Sequence, residues 1–531
     1  MDKTEKKDSK SLENALWNSA NVLRGKMDAS EYKNYLLGLI FYRFLSEKTL
    51  QAVMDATGET EKPIEVYKKY WEDQHDDIVS ALYDDNGYII EPNDLFDSIV
   101  DRIQKHHFQV SDLKQALFNL EQSVKGHPAE EDFEGLFDDI DLDSNRLGKN
   151  PSQVINDVIL ALKDIDFDED RDVLGDAYEY LISAFAMSAG KKAGEFYTPR
   201  TVSEIIAQIV TINHKSGDEQ LRSVYDPTMG SGSLLLTVAD QVTGDYPISY
   251  HGQELNTTTY NLARMNLMLH GVSYEDIHVH NGDTLDIDWP TQEPYQFDAV
   301  VMNPPYSAHW DNNKDRMSDP RFRDYGRLAP KSKADYAFLL HGLYHLKPTG
   351  TMGIVLPHGV LFRGAAEGKI REELIAKNQI DAVIGLPANI FYSTSIPTVI
   401  MILKKDKTDD NILFIDASRE FDKERNQNVL TDENIKKIVD TYKKREDVDK
   451  YAHVATLDEI KENDFNLNIP RYVDTFEPEP PVDVDKLVKD MKETDAEIER
   501  LNGEIGSMLD ELVGSDTDAQ QQLDKIKELF K

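Results

Sequence analysis

Residues 225–233 have the sequence Tyr-Asp-Pro-Thr-Met-Gly-Ser-Gly-Ser and lie between an apolar run at 223–225 and an apolar, helix-like segment at 234–242. The glycines at positions 230 and 232 let the backbone pass close to a ligand, and the first N–H groups of a following helix are free to bind it. A Gly-x-Gly pair after a strand is also compatible with a simple tight turn. The sequence here therefore predicts a strand, a loop and a helix, and it predicts a cofactor site only if neighbouring strands end in matching residues.

Short apolar runs alternate with helical patterns from residue 166 to residue 475, which is typical of βαβ units around a mostly parallel sheet. The candidate strands are 223–225, 248–252, 277–280, 299–302, 353–356, 381–384, 398–403 and 412–415. We therefore predict an α/β, doubly wound, Rossmann-like domain over residues 166–475. In open sheets of this type ligands bind at the carboxyl ends of the strands, so functional residues are expected there.

Two helical regions flank this domain. Residues 1–165 place apolar side chains three and four positions apart and predict an amino-terminal helical bundle, which is either a scaffold without chemistry or an assembly surface. Residues 476–531 begin with a proline-rich break at 477–481, and an apolar rhythm from Leu487 to Leu512 predicts a carboxyl-terminal helical tail of coiled-coil character. Such a helix needs a partner, which is either another protein or the chain's own domain.

Composition limits the chemistry of the chain. Its 531 residues carry a net charge of −39 with a pI near 4.7, so nucleic acid should repel the protein unless a partner or a local stretch supplies positive charge. Cysteine is absent, which excludes disulfide bonds, thiolate metal ligands and a cysteine nucleophile. The longest apolar stretch, 35–45, contains Arg43 and is too short to span a membrane, so we expect a cytoplasmic protein without membrane contact.

Acidic residues end the two candidate strands that follow the glycine loop. Glu254 stands 28 residues after Asp226, where doubly wound folds place the acid that binds ribose hydroxyls. Asp283 ends the next strand and can accept a hydrogen bond from an adenine amino group. Each acid alone would also fit a turn or a helix cap. In series with the glycine loop they predict a nucleoside-binding crevice.

The tetrapeptide Asn303-Pro304-Pro305-Tyr306 directly follows the apolar run 297–302. The two prolines remove backbone donors and fix φ, so the Asn303 amide and the Pro304 carbonyl are presented rigidly as acceptors. Tyr306 adds a flat aromatic face. The tetrapeptide on its own is compatible with a proline-rich turn, but after the cofactor-like loops it predicts a holder for a planar exocyclic amine.

These motifs resemble a known family. The series Glu195-Phe196-Tyr197-Thr198-Pro199-Arg200, Asp226 to Ser233, Glu254, Asp283 and Asn303 to Tyr306 resembles the γ-class amino-methyltransferases that use S-adenosylmethionine. More narrowly, it resembles the modification (M) subunit of type I restriction-modification systems, as do residues 16–48 and 356–363. The likeness covers nearly the whole chain. Met229 departs from the pattern, since alanine or cysteine is commoner there.

The resemblance implies a division of roles among these residues. The implied cofactor-binding residues are Glu195, Phe196, Tyr197, Thr198, Pro199 and Arg200 beside the methionine part, Asp226, Gly230, Ser231, Gly232 and Ser233 in the loop, Glu254 at the ribose and Asp283 at the adenine. The target would be an adenine flipped out of double-stranded DNA, whose amine would donate to the Asn303 side chain and the Pro304 carbonyl while Tyr306 stacks on the base. Pro305 belongs to the same catalytic motif. The reaction is methylation at N6, and no metal is expected.

The resemblance also implies partners. A separate specificity subunit would read the DNA sequence, two modification subunits would join one specificity subunit, and restriction/translocase subunits would add to that complex in a bacterial or archaeal cell. The amino-terminal bundle and residues 482–531 are the predicted assembly surfaces. A local stretch, 311–333, carries seven cations against four aspartates and is either a phosphate-contacting loop or a solvated loop of balanced charge.

Several alternatives can be weighed on sequence alone. The absence of cysteine excludes methylation at carbon 5 of cytosine. Methylation of the cytosine exocyclic nitrogen stays open, although the family favours serine where this chain has Asn303. Protein-glutamine methyltransferases share the Asn-Pro-Pro-Tyr tetrapeptide but resemble much shorter chains. A catalytically silent assembly module is a further alternative, and the intact Asn303 and Tyr306 argue against it.

Overall fold

The computed structural model describes residues 16–17, 29–147, 149–163, 165, 171–188, 198–214, 220–242, 246–286, 290, 295–391, 395–424, 427–475 and 483–530. The chain divides into two compact units, Met1–Asp474 and Thr475–Lys531. The first unit contains the amino-terminal helices and a large sheet, and the second contains two tail helices.

The amino-terminal region is helical, as predicted. Its helices are α1 (Ala29–Thr57), α2 (Pro63–Asp73), α3 (His75–Asn86), α4 (Phe96–Gln104), α5 (Val110–Ser123), α6 (Glu130–Phe133) and α7 (Pro151–Lys163). Residues 35–46 of helix α1 are all buried. Because a helix that is buried on all sides lies inside its domain, α1 is the central helix of this region. Helix α4 buries one face through Phe96, Ile99 and Ile103, which follow the spacing of three and four.

A nine-stranded sheet forms the centre of the following domain. The strands are β1 (Ser223–Asp226), β2 (Ser249–Glu254), β3 (Ile277–Asn281), β4 (Phe297–Met302), β5 (Leu346–Pro357), β6 (Ile380–Gly385), β7 (Thr398–Lys404), β8 (Ile412–Asp416), β9 (Asp422–Lys423), β10 (Asn428–Val429) and β11 (Ala452–Ala455). The order in the sheet is β11-β8-β6-β7-β5-β4-β1-β2-β3, and β9 and β10 pair separately. All eight predicted strands are present, most of them longer than predicted.

The sheet is mostly parallel. Strands β3, β2, β1, β4 and β5 are mutually parallel, and β7 is antiparallel to both of its neighbours, β5 and β6. Strand β11, which the sequence analysis missed, is a four-residue edge strand antiparallel to β8. Its sequence, Ala-His-Val-Ala, buries only its two terminal residues and therefore shows no apolar run.

Helices cover both faces of the sheet, which confirms the predicted α/β, doubly wound class. They are α8 (Arg171–Ser188), α9 (Arg200–Val210), α10 (Ser233–Asp240), α11 (Thr257–Leu269), α12 (Asp335–Tyr344), α13 (Ala365–Ala376), α14 (Asp432–Lys444) and α15 (Leu457–Glu462). Side chains of β4 alternate between two cores. Ala299 and Val301 join the core that includes the amino-terminal helices, whereas Val300 and Met302 join the core that includes α12.

A buried arginine connects the amino-terminal helical region to the sheet domain. Arg264 on α11 is 2% exposed, and its Nη1 donates to the carbonyl oxygens of Glu131 (2.9 Å) and Glu134 (3.1 Å). Three residues earlier on the same helix, Asn261 donates to the Gly135 carbonyl (3.0 Å). The two regions therefore share polar contacts as well as a hydrophobic core.

The tail forms α16 (Val484–Asp510) and α17 (Thr517–Lys527), which is the helical character that the apolar rhythm predicted. None of the described residues of these two helices is buried. Among the helices of the described ranges, none combines the length and the apolar character needed to cross a lipid bilayer.

Candidate active site

The carboxyl ends of β1, β2, β3 and β4 meet at one edge of the sheet because these strands are parallel neighbours. A cavity of about 480 Å³ lies at this edge. Four of the predicted site residues line it: Glu254, Asp283, Asn303 and Pro305. The cofactor acids and the amine-binding motif, which are up to 51 residues apart in sequence, therefore share one cavity.

The glycine loop connects β1 to the start of α10. Gly230 and Gly232 both have left-handed backbones, with φ of 54° and 78°, which glycine adopts at low cost. Gly232 is the residue that caps the start of α10, so the loop ends at a helix amino terminus as predicted. The loop's Ser231 and Ser233 are buried, with their hydroxyl oxygens 3.0 Å apart.

Met229, which departs from the family pattern, has a local explanation. A Cβ atom at position 252 would overlap the Met229 sulfur, so the large side chain fits only because residue 252 is glycine. The Met229 N–H also donates to the Gln253 carbonyl (3.0 Å), which fixes the loop against β2. The methionine is thus accommodated by the neighbouring strand and leaves the course of the loop intact.

Glu254 is held in place by two backbone donors. Its Oε1 accepts from the Asn256 N–H (2.8 Å) and its Oε2 accepts from the Gly230 N–H (3.2 Å). Burial raises the pKa of this carboxyl, while the hydrogen bonds from Asn256 and Gly230 oppose that rise. Each carboxylate oxygen retains acceptor capacity towards the cavity, because an ionised carboxylate accepts about four hydrogen bonds.

Asp226 lies beneath the loop. It is 1% exposed, and its Oδ1 accepts from the backbone N–H (2.8 Å) and the hydroxyl (3.2 Å) of Thr228. The pKa of Asp226 is raised to about 8, mainly by burial and in a small part by the Glu254 charge, while the hydrogen bonds from Thr228 oppose the rise. The structure therefore places Asp226 as a support of the turn, whereas its neighbours Pro227 and Thr228 line the cavity.

Asp283 and Asn281 shape the third strand end. The Asp283 side chain is exposed at the cavity, and its Oδ1 accepts from the Leu285 N–H (2.9 Å). Asn281, which the sequence analysis did not single out, donates through Nδ2 to the carbonyls of Glu254 (2.8 Å) and Leu255 (3.2 Å). An asparagine two residues before the predicted acid, at the end of a strand, was the available signal.

The amine-binding motif forms a small hydrogen-bonded cluster. Asn303 donates from Nδ2 to the Thr198 hydroxyl (3.1 Å), and its Oδ1 accepts from the Tyr306 hydroxyl (2.8 Å). The Tyr306 ring meets Phe391 edge to face, with centroids 6.0 Å apart and planes at 85°. Both bonds to Asn303 orient the amide, so its oxygen is fixed as an acceptor at the end of β4.

Tyr306 stays protonated in this environment. Burial raises the pKa of its hydroxyl well above the usual value, and the nearby negative charge of Asp335 raises it further. The hydroxyl therefore remains a donor to Asn303 over the physiological range. Pro304 is buried between Asn303 and the exposed Pro305, which keeps the strand end rigid.

The segment predicted to border the methionine part is described only in part. Glu195, Phe196 and Tyr197 lie outside the described residues. Thr198 contacts Asn303, as noted, and Pro199 directly precedes α9. Arg200 is directed elsewhere, because its guanidinium pairs with Asp176 (3.2 Å) and Glu204 (3.4 Å). These ion pairs involve α8 and α9, and Arg200 does not line the cavity.

Two cavity residues escaped the sequence analysis. Gln253 has no exposed surface, lines the cavity, and neither polar atom of its side-chain amide finds a partner among the described residues. Phe338, on α12, also lines the cavity. Gln253 could have been noticed as a polar residue inside an otherwise buried strand, whereas Phe338 lies in an ordinary apolar helix and carried no signal.

The basic stretch 311–333 is less available for DNA than its composition suggested. Arg321 is 2% exposed and donates to the Thr284 carbonyl (3.1 Å) and to Asp319, so its guanidinium is not available to contact phosphate. Arg316 contacts Asp286 and the Leu285 carbonyl. The exposed cations of this stretch are Lys314, Arg323, Arg327 and Lys331.

The part of the chain that forms this cavity matches a known protein family. The model of the N-6 DNA methylase family matches residues 169–480, which include the whole sheet and the cavity. The chain belongs to this family. In this N-6 DNA methylase, residues 12–162 match a second family model, the HsdM N-terminal domain. The match favours DNA over protein glutamine as the substrate.

The similarity to relatives extends over about nine tenths of the chain. The methylase subunit of the type I restriction enzyme MpnII of Mycoplasma pneumoniae is 37% identical over 500 residues, which cover 90% of this chain and 91% of the relative. The MjaVII methylase subunit of Methanocaldococcus jannaschii is 32% identical over 511 residues, covering 93% and 82%. The crystal structure of the type I restriction-modification methyltransferase subunit of Streptococcus thermophilus shares 54% identity with a TM-score of 0.84, covering 88% of this chain and 100% of that one.

These findings confirm the predicted membership. The N-6 DNA methylase is an adenine-specific DNA methyltransferase of the kind that forms the modification subunit of type I restriction-modification systems. Its sheet and helices form the α/β fold of the Streptococcus thermophilus methyltransferase subunit, as predicted. The roles of the individual site residues stay predictions.

Proposed function

We propose that this methylase transfers the methyl group of S-adenosylmethionine to N6 of an adenine flipped out of DNA, at the cavity between Glu254 and Asn303. The main observation in support is the orientation of the Asn303 amide, which two hydrogen bonds fix. Its oxygen lies at the carboxyl edge of the sheet, where Glu254 and Asp283 also lie. A doubly wound sheet binds its ligands at that edge.

The residues of the cavity fit the cofactor. The volume, about 480 Å³, falls in the range of cavities that hold small ligands. Glu254 presents two oxygens with acceptor capacity to the adjacent hydroxyls of a ribose, and Asp283 presents an exposed carboxylate to an adenine amino group. The buried Gln253 amide is satisfied only if a ligand or water reaches it, because the described residues supply no partner. When bound, S-adenosylmethionine supplies an electrophilic methyl group on a sulfonium.

Asn303 and Pro304 position the target amine. An amide oxygen has two lone pairs, so Oδ1 of Asn303 can accept an amine N–H while it still accepts from the Tyr306 hydroxyl. The Pro304 carbonyl is the proposed second acceptor. Two acceptors on the amine hydrogens increase electron density on its nitrogen and hold its lone pair in one direction. Most of the rate acceleration comes from this positioning and from electrostatics.

The charge of the chain is compatible with this function if contacts with DNA are shared. The net charge of −39 makes the isolated chain a poor DNA-binding protein. A separate specificity subunit supplies most of the contacts, and the exposed Lys314, Arg323, Arg327 and Lys331 supply local ones. Two modification subunits join one specificity subunit, and restriction/translocase subunits complete the assembly.

We further propose three functional parts: residues 1–165 as the helical region, 166–475 as the methyltransferase domain and 476–531 as the assembly tail. Helix α16 supports the last assignment. Its apolar side chains recur at helical spacing and are exposed, with Ile498 at 50%, Leu501 at 43% and Met508 at 67%. An apolar row of this length that stays solvated is costly, so it favours association with helices of a partner protein.

Mapping of methylated adenines tests the proposed function. The full chain is expressed with its cognate specificity subunit in a host that lacks adenine methylation, and the host DNA is sequenced for N6-methyladenine. We expect one defined DNA motif to be methylated by the wild-type complex and none by a complex that carries Asn303→Ala. Absence of any methylated motif with the assembled wild-type complex would overturn the proposal.

A further inference from the structure

The residue that follows the amine-binding motif has an unusual backbone. Ser307 has a φ of 54°, in the left-handed region that non-glycine residues rarely adopt. Such a conformation persists only where surrounding groups hold it. The Ser307 N–H donates to Oδ1 of Asp335 (2.8 Å), and Asp335 is 1% exposed at the first position of α12. This bond fixes the turn that immediately follows Tyr306.

Asp335 is itself held from the other side. Its Oδ2 accepts from Nη1 of Arg363 (3.0 Å), and the same nitrogen lies 3.1 Å from Oε1 of Glu367. Arg371 donates to the carbonyl oxygens of Val360 and Arg363, both at 3.0 Å. The segment after β5 is therefore hydrogen-bonded to the buried carboxylate, which in turn is hydrogen-bonded to the turn after β4.

The Tyr306 end of the amine-binding motif is held by its contact with Phe391 and by the turn at Ser307. Pro304 and Pro305 fix φ on the Asn303 side, so the orientation of the Tyr306 ring depends on the backbone at Tyr306 and Ser307. A displacement of about 1 Å in a positioning group can cost about 100-fold in rate. In its present position the hydroxyl of Tyr306 donates to Asn303 over 2.8 Å.

We propose that Asp335, oriented by Arg363, is a positioning residue for methyl transfer: it holds Ser307 in its left-handed turn and so keeps the Tyr306 hydroxyl against Asn303. This inference rests on the proposed function. Asp335 touches neither the cavity nor the reacting amine, and it acts through the turn. Its carboxylate also keeps a negative charge near Tyr306, which disfavours loss of the hydroxyl proton.

A matched pair of variants tests the inference in the complex with the specificity subunit. Asp335→Ala removes the acceptor of Ser307. Asp298→Ala removes another buried carboxylate near the amino end of β4, where Oδ2 accepts from the N–H groups of Arg222 and Ser223 (both 3.0 Å) and Oδ1 from Lys347 (2.7 Å). Both variants should lower the melting temperature. Only Asp335→Ala should lower kcat, by about tenfold or more, with the KM for S-adenosylmethionine within about threefold of wild type.

A rescue variant separates positioning from general stability. Glycine adopts a left-handed backbone without help, so adding Ser307→Gly to Asp335→Ala should recover a large part of the lost kcat. Arg363→Met keeps the acceptor for Ser307 but frees the carboxylate, so its loss of kcat should be smaller than that of Asp335→Ala. Hydrogen exchange over residues 303–310 should accelerate in Asp335→Ala, whether or not the complex is active, because the Ser307 N–H loses its acceptor.

The outcomes are distinguishable. If the assembled wild-type complex methylates no DNA, the proposed function fails, and hydrogen exchange still decides whether Asp335 holds the turn. If wild type is active and Asp335→Ala keeps its kcat, or if Asp298→Ala loses as much kcat, the positioning role is overturned. Failure of Ser307→Gly to restore kcat overturns the proposed route through the left-handed turn.

Discussion

The hydroxyl group of Tyr306 donates a 2.8 Å hydrogen bond to the side-chain oxygen of Asn303. The nitrogen of the same amide donates to Thr198, which precedes α9 and lies far from this motif in sequence. The amide is therefore oriented before any substrate enters. An acceptor that needs no reorientation is the kind of preorganised group that enzymes use to stabilise a transition state.

Substitutions at Tyr306 and Asn303 distinguish the contribution of the Tyr306 ring to activity from that of its hydroxyl. Tyr306→Phe should lower kcat by about tenfold because Asn303 loses a donor, whereas Tyr306→Ala and Asn303→Ala should lower it by at least about 100-fold. Methylation of DNA by the complex is measured, and gel filtration should show assembly unchanged. Tyr67→Phe, which removes a buried hydroxyl that donates to the Ile90 carbonyl in the helical region, is the matched control. Near-normal activity of both alanine variants would refute the assignment.

Asp226 should make the stability of the protein depend on pH. Its pKa is raised by burial to about 8, so between about pH 4 and pH 8 the folded state binds a proton that the unfolded state has lost. The free energy of unfolding contributed by this group therefore falls as the pH rises through that window. Asp226→Asn mimics the protonated form and removes this dependence.

Thermal unfolding at pH 5 and pH 8 measures the effect. The melting temperature of wild type relative to Asp226→Asn should be lower at pH 8 than at pH 5. Because the asparagine retains an oxygen for the Thr228 N–H, the turn itself should survive the substitution. A constant difference between the two proteins across this range would show that Asp226 is not protonated in the folded state.

The cations of the stretch 311–333 should differ sharply in their effects. Arg323→Ala and Arg327→Ala remove exposed charges, so each should weaken DNA binding by the complex regardless of sequence and reduce the salt dependence of log Kd by about one. Arg321→Ala should instead lower the melting temperature, since its guanidinium is buried against Asp319 and Thr284. Fluorescence anisotropy at several salt concentrations distinguishes the two groups. Equal salt dependence in wild type and both exposed variants would exclude this stretch from the DNA interface.

The tail should be needed for assembly and dispensable for the pocket. Deletion of residues 482–531 should abolish co-purification with the specificity subunit, and the double substitution Ile498→Glu with Leu501→Glu should weaken it by about tenfold or more. Lys489→Gln, on an exposed charged residue of the same helix, is the control. Binding of S-adenosylmethionine should be unchanged, because the tail is a compact unit of its own. Assembly that survives the deletion would remove the tail from this role.

Much of this architecture could be predicted because it depends on local patterns. Eight strands were apparent as apolar runs, and Glu254 and Asn303 could be placed at one edge because each directly follows such a run. The edge strand β11 gave no run, since its central residues are only half-buried. The sequence pattern predicted the edge of the sheet at which the site lies, but it did not predict the hydrogen bonds and contacts within the site.

The directions of charged side chains could not be predicted in the same way. Arg200 and Arg321 stand in segments where a cation near a ligand or DNA was expected, yet Arg200 pairs with Asp176 and Arg321 donates to the Thr284 carbonyl. Asp335 is separated by 28 residues from Ser307, whose backbone it holds. A partner that lies far along the chain, or on another element, is decided by packing and not by neighbouring sequence.

The buried guanidinium of Arg264 has a consequence for how the two matched regions depend on each other. Two separately recognised sequence families meet in this chain, at residues 12–162 and 169–480. Arg264 lies in the region 169–480 and donates hydrogen bonds to two carbonyl oxygens of the region 12–162. Without the amino-terminal helices, Arg264 would lose these acceptors and the surface of α11 that they cover would be exposed to water. We therefore expect a protein made of residues 169–480 alone to be less stable than the full chain, because the two matched regions complete each other's hydrogen bonding.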